Sequence, residues 1–494
     1  MYKNYINGKW QDAKCGKTFT KLNPATGEEV GKFPLSEPED VNDAVASAKK
    51  AFKGWSRTPL PTRGDIMLKL GNLMLKNKEE LARIETQDMG KVLKETRGDV
   101  QEGIDTAYYA FGEARRFFGK TVPSELPDKI CMTFHRPIGV AGLISPWNFP
   151  AAIPCWKMIP ALLSGNTVVF KPSREAPATG AKLVELLIEA GIPDGVVNII
   201  HGAGTNVGEA IATHPDIGVI SFTGSVPVGK RLAEISGKSL KRISLELGGK
   251  NGQIVMDDAD LELALEGALW GAFGTTGQRC TATSRVILHK DIHDKFVDML
   301  VKRANKIKIG YGLDESMEMG PCVSEKQRDI VAKYVDIGKK EGAKLACGGE
   351  PYTEGNCKDG FFYRPTIFTG VTPDMRIAKE EIFGPVLSVL KINNLDEAIK
   401  VINGTEFGLS SSVYIKDVNN AMKAVAEIEA GITYINAPTI GAECHLPFGG
   451  VKNTGNGHRE GGWTVYEIFN ETQTVYIDYS AKLQRAQIDT TVIS

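Results

Sequence analysis

Two residues of the sequence have the side chains needed for covalent acyl chemistry. Cys280 lies in the turn Gly277-Gln-Arg-Cys280, and Glu246 lies earlier among apolar residues and glycines in Leu245-Glu-Leu-Gly-Gly-Lys250. An adjacent arginine and a loop position can lower the pKa of a thiol, which then attacks a carbonyl carbon. A carboxylate that activates water can hydrolyse the resulting thioester. The alternative is a buried, inert cysteine and a glutamate held in a salt bridge.

A second group of residues could bind the phosphates and riboses of a dinucleotide. Phe222-Thr-Gly-Ser225 and then Gly229 follow a predicted strand and begin a predicted helix, and a helix N-terminus favours an anion. Lys171 ends another predicted strand, and Asn148 is an amide on a loop between two prolines. On their own, the glycines would equally suit a tight turn and Lys171 could be a solvated lysine.

The elements that position these residues are predicted from hydrophobic patterning. Short apolar, β-branched runs alternate with helical stretches, which predicts a parallel sheet with helices on both faces. Such a sheet binds ligands beyond the carboxyl ends of its strands. The apolar runs cover residues 138–144, 167–170, 196–200, 219–222 and 253–256.

Helices are predicted on both sides of this region of the chain. Before it, Ser36 is the predicted cap of a first helix, and two further helices are expected over residues 63–85 and 90–118. After it, a second α/β series begins near residue 261. The alternating segment 472–479 predicts a last strand, which is followed by a polar tail.

Composition excludes several classes of protein. The 494 residues include 59 Lys+Arg and 60 Asp+Glu, so the near-neutral chain has no electrostatic footprint for nucleic acid or an anionic membrane. No apolar run approaches the ~18 residues of a membrane span, and residues 1–10 lack the apolar core of a signal peptide. The protein is therefore predicted to be soluble and cytoplasmic, with a small-molecule substrate.

Cysteine and histidine spacing predicts neither a disulfide framework nor a metal site. The eight cysteines include no C-x-x-C pair. His289 and His293 are close together but flanked by charged residues, so we interpret them as part of a solvated strand-to-helix junction. No metal is expected.

Five motifs in order resemble the aldehyde dehydrogenase superfamily. They span nearly the whole chain. The motifs are Trp147-Asn-Phe-Pro150, Leu245-Glu-Leu-Gly-Gly-Lys250, Gly277-Gln-Arg-Cys280, Glu380-Glu-Ile-Phe-Gly-Pro385 and Pro447-Phe-Gly-Gly450.

The resemblance assigns catalytic roles. It implies that Cys280 is the nucleophile, that Glu246 is the general base and that Asn148 donates to the oxyanion, while Lys157 matches a lysine near the active site. Family members that pass the acyl group to coenzyme A generally lack the glutamate, so its presence implies hydrolysis to a free acid. The competing possibilities are a protein that keeps the fold without turnover and a module that only holds a cofactor.

The resemblance also assigns a site for NAD or NADP. Lys171 would meet the adenosine ribose, and Glu381 would hold the nicotinamide ribose with Phe383 beside the ring. The remaining positions match contacts near the pyrophosphate and adenine, or backbone and packing contacts to the cofactor. These are Ile144, Ser145, Trp147, Gly208, Gly224, Ser225 and Leu247.

The implied fold is α/β, with a Rossmann-type dinucleotide-binding domain, an α/β catalytic domain and a small β oligomerisation element. Dimers and tetramers are usual in the family, so a homo-oligomer is expected. The predicted divisions are 1–118 with 137–248 for the dinucleotide-binding domain, 249–452 for the catalytic domain, 119–136 with 463–480 for the oligomerisation element, and 481–494 for a C-terminal tail.

Specificity is predicted from Arg174, Arg279 and Phe448. Arg174 stands three positions after Lys171, where many NAD-preferring members carry an acidic residue, and it would suit the 2′-phosphate of NADP. In the alternative, Arg174 is solvated and Glu175 takes the ribose. Arg279 could meet a substrate carboxylate, which suggests a dedicated semialdehyde dehydrogenase, and Phe448 is expected to line the substrate site.

Overall fold

The computed structural model describes residues 1–117 and 119–489. Position 118, where the third predicted helix ended, and residues 490–494 of the predicted tail lie outside the described residues. Within the described part, no helix has both the length and the apolar character required to cross a membrane.

Helices make up much of the first half of the chain and recur between the strands of the second half. In chain order they are α1 (Pro38–Trp55), α2 (Leu60–Lys76), α3 (Lys78–Met89), α4 (Leu93–Glu113), α5 (Ala152–Ser164), α6 (Pro177–Glu189), α7 (Glu209–Thr213), α8 (Val226–Lys238), α9 (Leu261–Phe273), α10 (His293–Ala304), α11 (Glu325–Lys340), α12 (Arg376–Lys379), α13 (Leu395–Asn403), α14 (Val418–Glu427) and α15 (Val465–Ile468).

The strands form two large sheets and three small ones. In chain order they are β1 (Asn4–Ile6), β2 (Lys9–Gln11), β3 (Thr18–Leu22), β4 (Glu29–Pro34), β5 (Thr121–Val122), β6 (Lys129–Pro137), β7 (Val140–Ile144), β8 (Thr167–Lys171), β9 (Val197–Ile199), β10 (Ile217–Thr223), β11 (Arg242–Glu246), β12 (Asn251–Val255), β13 (Thr283–His289), β14 (Lys344–Cys347), β15 (Thr366–Thr369), β16 (Val386–Ile392), β17 (Phe407–Gly408), β18 (Ser410–Tyr414), β19 (Ile432–Ile435), β20 (Val451–Lys452) and β21 (Asn470–Asp478).

The first large sheet has the strand order β11-β10-β7-β8-β9-β1-β2. Strands β11 to β9 in this order run parallel, and helices cover the sheet. The central strands β7 and β8 are buried along their whole length, as expected for strands covered on both faces. The carboxyl ends of β7, β8 and β10 therefore lie side by side, which is where such a sheet binds its ligand.

The second large sheet has the order β14-β15-β16-β13-β12-β18-β19 and is parallel except for the edge strand β14. A third sheet pairs β21 with β6 over nine residues, and β6 with the short β5. Hydrophobic side chains of this small sheet are exposed, including Tyr476 and Ile477 of β21.

Two local predictions differ from the structure. Ser36 does not cap α1, because its Oγ accepts a hydrogen bond from Asn4 Nδ2 at 2.8 Å. The N-cap is Glu37, whose backbone N–H donates to the Asp40 carboxylate at 3.0 Å. The single helix predicted over residues 63–85 is two helices, α2 and α3, divided at Asn77.

Strand β11 was missed by the hydrophobic pattern. Its sequence, Arg-Ile-Ser-Leu-Glu, alternates polar and apolar residues over only five positions, so this edge strand lacks the continuous apolar run of the central strands. It pairs in parallel with β10, with Glu246 opposite Thr223. Glu246 therefore ends a strand at the ligand-binding edge of the first sheet.

Candidate active site

Cys280 is positioned by a strained turn that follows α9. Thr275 and Thr276 have positive φ values of 53° and 58°, and Gly277 has φ +68°. A side chain at Gly277 would come 2.2 Å from the carbonyl oxygen of Gly384, so only glycine fits. The Thr275 N–H donates to both oxygens of Glu95, at 2.8 and 3.0 Å, which ties the turn to α4.

The Cys280 thiol lies in the wall of a cavity of about 1030 Å³. It packs against Trp156 and Phe448, whose rings meet edge to face with centroids 5.0 Å apart. Burial, together with the charges of Glu381 and Glu246, raises the pKa of the Cys280 thiol to about 12. The thiol is therefore protonated near neutral pH in the coenzyme-free protein.

The Glu246 carboxylate lines the same cavity as Cys280. It is buried, and neither of its oxygens has a hydrogen-bond partner among residues 1–117 and 119–489. Burial raises its pKa well above the usual range, and the nearby Glu460 carboxylate adds to the effect, whereas Lys157 opposes it. A buried, unpartnered carboxylate beside a thiol has the properties of a general base for water.

A glycine makes room for this carboxylate. A side chain at Gly449, in the Pro-Phe-Gly-Gly motif, would come 2.5 Å from Oε1 of Glu246. The isolated bridge between Glu246 and Gly455 also ties β11 to this segment of the chain.

Lys157 belongs to a buried polar network behind Glu246. Its Nζ donates to Ser221 Oγ at 2.9 Å and forms a short ion pair with Glu460. The Ser221 hydroxyl donates to the same Glu460 oxygen at 3.1 Å. Glu460 itself lines the cavity, so the network reaches from the cavity to the sheet.

The sequence predicted Lys157 but not Glu460 or Ser221. Glu460 reaches the site because its backbone pairs with that of Phe448, with N–H···O distances of 2.6 and 2.7 Å. This pairing is not visible in the local sequence. The only available signal was the position of Glu460 shortly after the Pro447-Phe-Gly-Gly450 motif.

Asn148 is buried in the loop between β7 and α5. The next residue, Phe149, lines the cavity. The Oδ1 atom of Asn148 has no hydrogen-bond partner within the described residues. This oxygen is an acceptor, whereas an oxyanion would be bound by the Nδ2 donor, so the role of Asn148 as an oxyanion donor remains a prediction.

The predicted cofactor residues of the first sheet converge at the ends of three strands. Ile144 pairs in register with both Lys171 and Phe222, and the Ser145 N–H donates to the Lys171 carbonyl at 3.2 Å. A methyl group placed on Gly208 would lie 3.9 Å from Ile144 Cδ1 and 4.0 Å from Lys171 Cδ. Gly208 therefore faces the same edge as Lys171.

Helix α8 begins at this edge. Ser225 is its N-cap residue, and Gly224 directly precedes it. A side chain at Gly229 would collide with Leu247 at 2.5 Å, so the first turn of α8 packs closely on Leu247. The free N–H groups of this helix end are suited to a phosphate.

Glu381 and Phe383 lie in the segment between α12 and β16, a strand of the second large sheet. Glu381 accepts a hydrogen bond from the Gly249 N–H at 3.0 Å, and burial raises its pKa to about 7. Phe383 has φ +58° and meets Trp147 edge to face at 5.2 Å. A strand-end lysine, a helix N-terminus and a carboxylate are groups that bind phosphate and ribose, and the role of these residues in holding a dinucleotide remains a prediction.

The two predicted specificity arginines have different environments. Arg174 is exposed and stacks over Phe19, with its guanidinium carbon 4.7 Å from the ring centre. Arg279 lines the cavity and donates to Glu95 at 2.9 Å and to Thr275 Oγ1 at 2.8 Å. Burial lowers the pKa of Lys171 to about 8, and the charge of Arg174 contributes.

Comparisons with known proteins agree with this geometry. The family model described as aldehyde dehydrogenase family matches residues 10–475. The chain is 42% identical to an alpha-ketoglutaric semialdehyde dehydrogenase of Bacillus subtilis over 96% of this chain and 98% of that one. It is 44% identical to a 2,5-dioxopentanoate dehydrogenase of Saccharolobus solfataricus over 93% and 96% of the two chains.

A solved structure gives the same result. Betaine aldehyde dehydrogenase from Staphylococcus aureus, crystallised in complex with NAD+, superposes with a TM-score of 0.95 at 35% identity, over 98% of this chain and 96% of that one. The α/β fold expected from the five motifs is thereby confirmed. The chain belongs to the aldehyde dehydrogenase family.

Proposed function

We propose that this NAD(P)-dependent aldehyde dehydrogenase oxidises a semialdehyde with a carboxylate at its far end, using Cys280 as nucleophile and Glu246 as base. The observation that carries the proposal is that both side chains line one cavity, with Arg279 in its wall. The names of the two relatives above, which are dehydrogenases of semialdehydes or dioxo acids, support this substrate class.

The first chemical step takes place at Cys280. The thiol loses its proton to solvent, and the resulting thiolate attacks the aldehyde carbon and forms the oxyanion of a thiohemiacetal. The Asn148 amide and the Cys280 backbone N–H are the proposed donors to the oxyanion, and one such donor is typically worth about 2.7–4 kcal/mol. Lys171 and Glu381 would hold the nicotinamide coenzyme, which would supply the hydride acceptor that conversion of the thiohemiacetal into a thioester on Cys280 requires.

Glu246 then acts in hydrolysis. Its unpartnered carboxylate removes a proton from water, which attacks the thioester and releases the acid. The Glu460, Lys157 and Ser221 network lies next to it and offers a path for that proton away from the cavity. The presence of Glu246 favours hydrolysis over transfer to coenzyme A.

Arg279 is the proposed partner of the substrate carboxylate. Its ion pair with Glu95 engages Nη2, and Nε binds Thr275. Within the described residues, Nη1 makes no protein hydrogen bond and keeps its two N–H donors. Phe448, beside Cys280, would pack against the carbon chain near the aldehyde.

NADP is the proposed coenzyme, with Arg174 as the partner of its 2′-phosphate. Arg174 is exposed, and no carboxylate lies within 4.0 Å of its nitrogens in the part of the chain described here. The guanidinium is therefore available, and Arg174 stands three residues from Lys171. In the alternative, Glu175 binds the ribose of NAD.

We further propose a homo-oligomer assembled through the small sheet. β21 is an edge strand with exposed Tyr476 and Ile477, and an apolar edge of this kind pairs readily with another chain. The division into domains and the cytoplasmic location remain predictions.

A panel of aldehydes tested with both coenzymes checks the function. The panel compares 5-oxopentanoate with pentanal, propanal and benzaldehyde. The formation of reduced coenzyme is measured by its absorbance. The expected result is a higher kcat/KM for 5-oxopentanoate than for pentanal, and a preference for NADP. Equal values for 5-oxopentanoate and pentanal would contradict the proposed substrate class.

A further inference from the structure

Helix α5 begins directly after the loop that carries Asn148, and a distant carboxylate caps it. The N-cap residue, Ala151, has a methyl side chain that cannot accept a hydrogen bond. The first N–H of the helix, that of Ala152, donates instead to Asp99 Oδ1 at 2.7 Å. Asp99 lies on α4, 53 residues earlier in the chain, so α4 fixes the start of α5.

The other oxygen of Asp99 is held by a buried cation. Lys91 Nζ donates to Asp99 Oδ2 at 2.8 Å and to Glu85 Oε1 at 3.0 Å, and all three side chains are fully buried. The same Nζ atom lies 3.7 Å from the centre of the Phe149 ring, within the range of a cation–π contact. Lys91 therefore contacts both Asp99 and the residue that directly follows Asn148.

These contacts restrain the Asn148 segment on both sides of Pro150. The ammonium group lies over the ring of Phe149, and the Asp99 carboxylate binds the N–H of Ala152. The proline ring fixes its own φ angle, so the backbone between these two points has little freedom. The position of the Asn148 backbone is therefore set from α4.

Helix α4 also holds the turn that leads to Cys280. Glu95 lies four positions before Asp99, so the two carboxylates are on one face of the helix. Glu95 accepts from the Thr275 N–H at 2.8 Å, and Thr275 begins the strained part of that turn. One face of α4 thus fixes both the nucleophile turn and the loop of Asn148.

We propose that Asp99 is a positioning residue that holds the Asn148 amide where the oxyanion forms. The inference rests on the proposed function, in which Asn148 donates to that oxyanion. Asp99 lines the cavity, but each of its oxygens accepts from a protein donor, so it acts through the loop and not on the substrate. An oxyanion donor is effective only within hydrogen-bond distance of the developing charge, so a small displacement of the loop removes most of its effect.

The experiment is a double-mutant cycle on the rate constant of the first turnover. Enzyme is mixed rapidly with saturating coenzyme and the aldehyde of the panel that has the highest kcat/KM. The cycle compares the wild type, Asp99→Asn, Asn148→Ala and the double variant. An amide has one acceptor oxygen where Asp99 uses two, so Asp99→Asn loses one of the two hydrogen bonds. Unfolded protein lowers the amplitude of the signal and leaves the rate constant unchanged.

We expect Asn148→Ala to lower the rate constant roughly 10²- to 10³-fold, the usual effect of losing an oxyanion donor. Asp99→Asn should lower it roughly 10- to 10²-fold in the wild type. In Asn148→Ala it should lower it by less than about twofold, because the amide that Asp99 positions is already gone.

Two further variants complete the design. Asp105→Asn is the matched control, because Asp105 is an exposed aspartate on the same helix, and it should keep the wild-type rate constant. Lys91→Met removes the cation that holds Asp99 and lies over Phe149, and it should show the same dependence on Asn148. It provides the test if Asp99→Asn does not fold.

Two results would overturn the inference. If Asp99→Asn keeps the wild-type rate constant, or lowers it by the same factor in the wild type and in Asn148→Ala, Asp99 does not position the amide, and the proposed function stands. If Asn148→Ala itself leaves the rate constant unchanged, Asn148 is not the oxyanion donor. That part of the proposed function then fails, and the role of Asp99 fails with it.

Discussion

Replacing Gly449 with alanine should selectively slow thioester hydrolysis. The new methyl group would come 2.5 Å from Glu246 Oε1 and 2.8 Å from Arg459 Cδ, whereas an ordinary contact begins near 3.4 Å, so the carboxylate must retreat by about 1 Å and the Arg459 side chain must also shift. A displacement of about 1 Å in a catalytic group can cost roughly 10²-fold in rate. Cys280 and Asn148 are not in the way of this methyl group, so acylation and hydride transfer should continue.

Rapid mixing with excess coenzyme and aldehyde separates the two phases. Gly449→Ala should give a burst of reduced coenzyme equal to the active sites, followed by a steady state roughly 10²-fold slower than in the wild type. The control is Gly457→Ala, because Gly457 also has a positive φ, +97°, but a side chain there meets nothing within 4 Å. A steady state equal to that of Gly457→Ala, or a loss of the burst, would refute the reasoning.

Three further predictions concern the thiol, the coenzyme and the oligomer. In the coenzyme-free enzyme, the rate at which iodoacetamide alkylates Cys280 should still rise from about pH 7 to about pH 10, because the pKa of the thiol is raised to about 12. Cys280→Ala corrects for alkylation of the other thiols. A rate that reaches a plateau below about pH 9 would contradict this prediction. Arg174→Glu should lower kcat/KM with NADP far more than with NAD, by roughly 10- to 150-fold for a lost charge-assisted contact of about 1.5–3 kcal/mol; an unchanged ratio of the two coenzymes would show that Arg174 is a solvated surface residue. Deleting residues 472–494 removes most of β21 and should reduce the oligomer to smaller species in light scattering; a truncated protein of native mass would argue against assembly through this strand.

Motifs that are continuous in the sequence predicted much of the site. Glu246 is flanked by apolar residues and glycines, Cys280 lies in a turn that begins at Gly277, and the structure places both in one cavity. The central strands β7, β8 and β10 were visible because burial on both faces leaves an apolar run.

Features formed between distant segments could not be predicted in this way. Glu460 forms an ion pair with Lys157, and a backbone bridge to Phe448 places Glu460 there. Arg279 forms an ion pair with Glu95 from α4. Neither pairing leaves a local pattern, because partners far apart in the sequence meet only after the sheets have packed. Glu102 Oε1 likewise has no hydrogen-bond partner within the described residues, which depends on the segments that pack around it in the folded chain.

The covalent thioester on Cys280 is the central claim, and mass spectrometry of Glu246→Gln tests it most directly. The variant is mixed with aldehyde and oxidised coenzyme, quenched in acid and digested. We predict that the peptide containing Cys280 gains the mass of the acyl group, and that Cys280→Ala shows no such adduct. Reduced coenzyme that accumulates without an adduct on Cys280, or an adduct on another residue, would contradict the account.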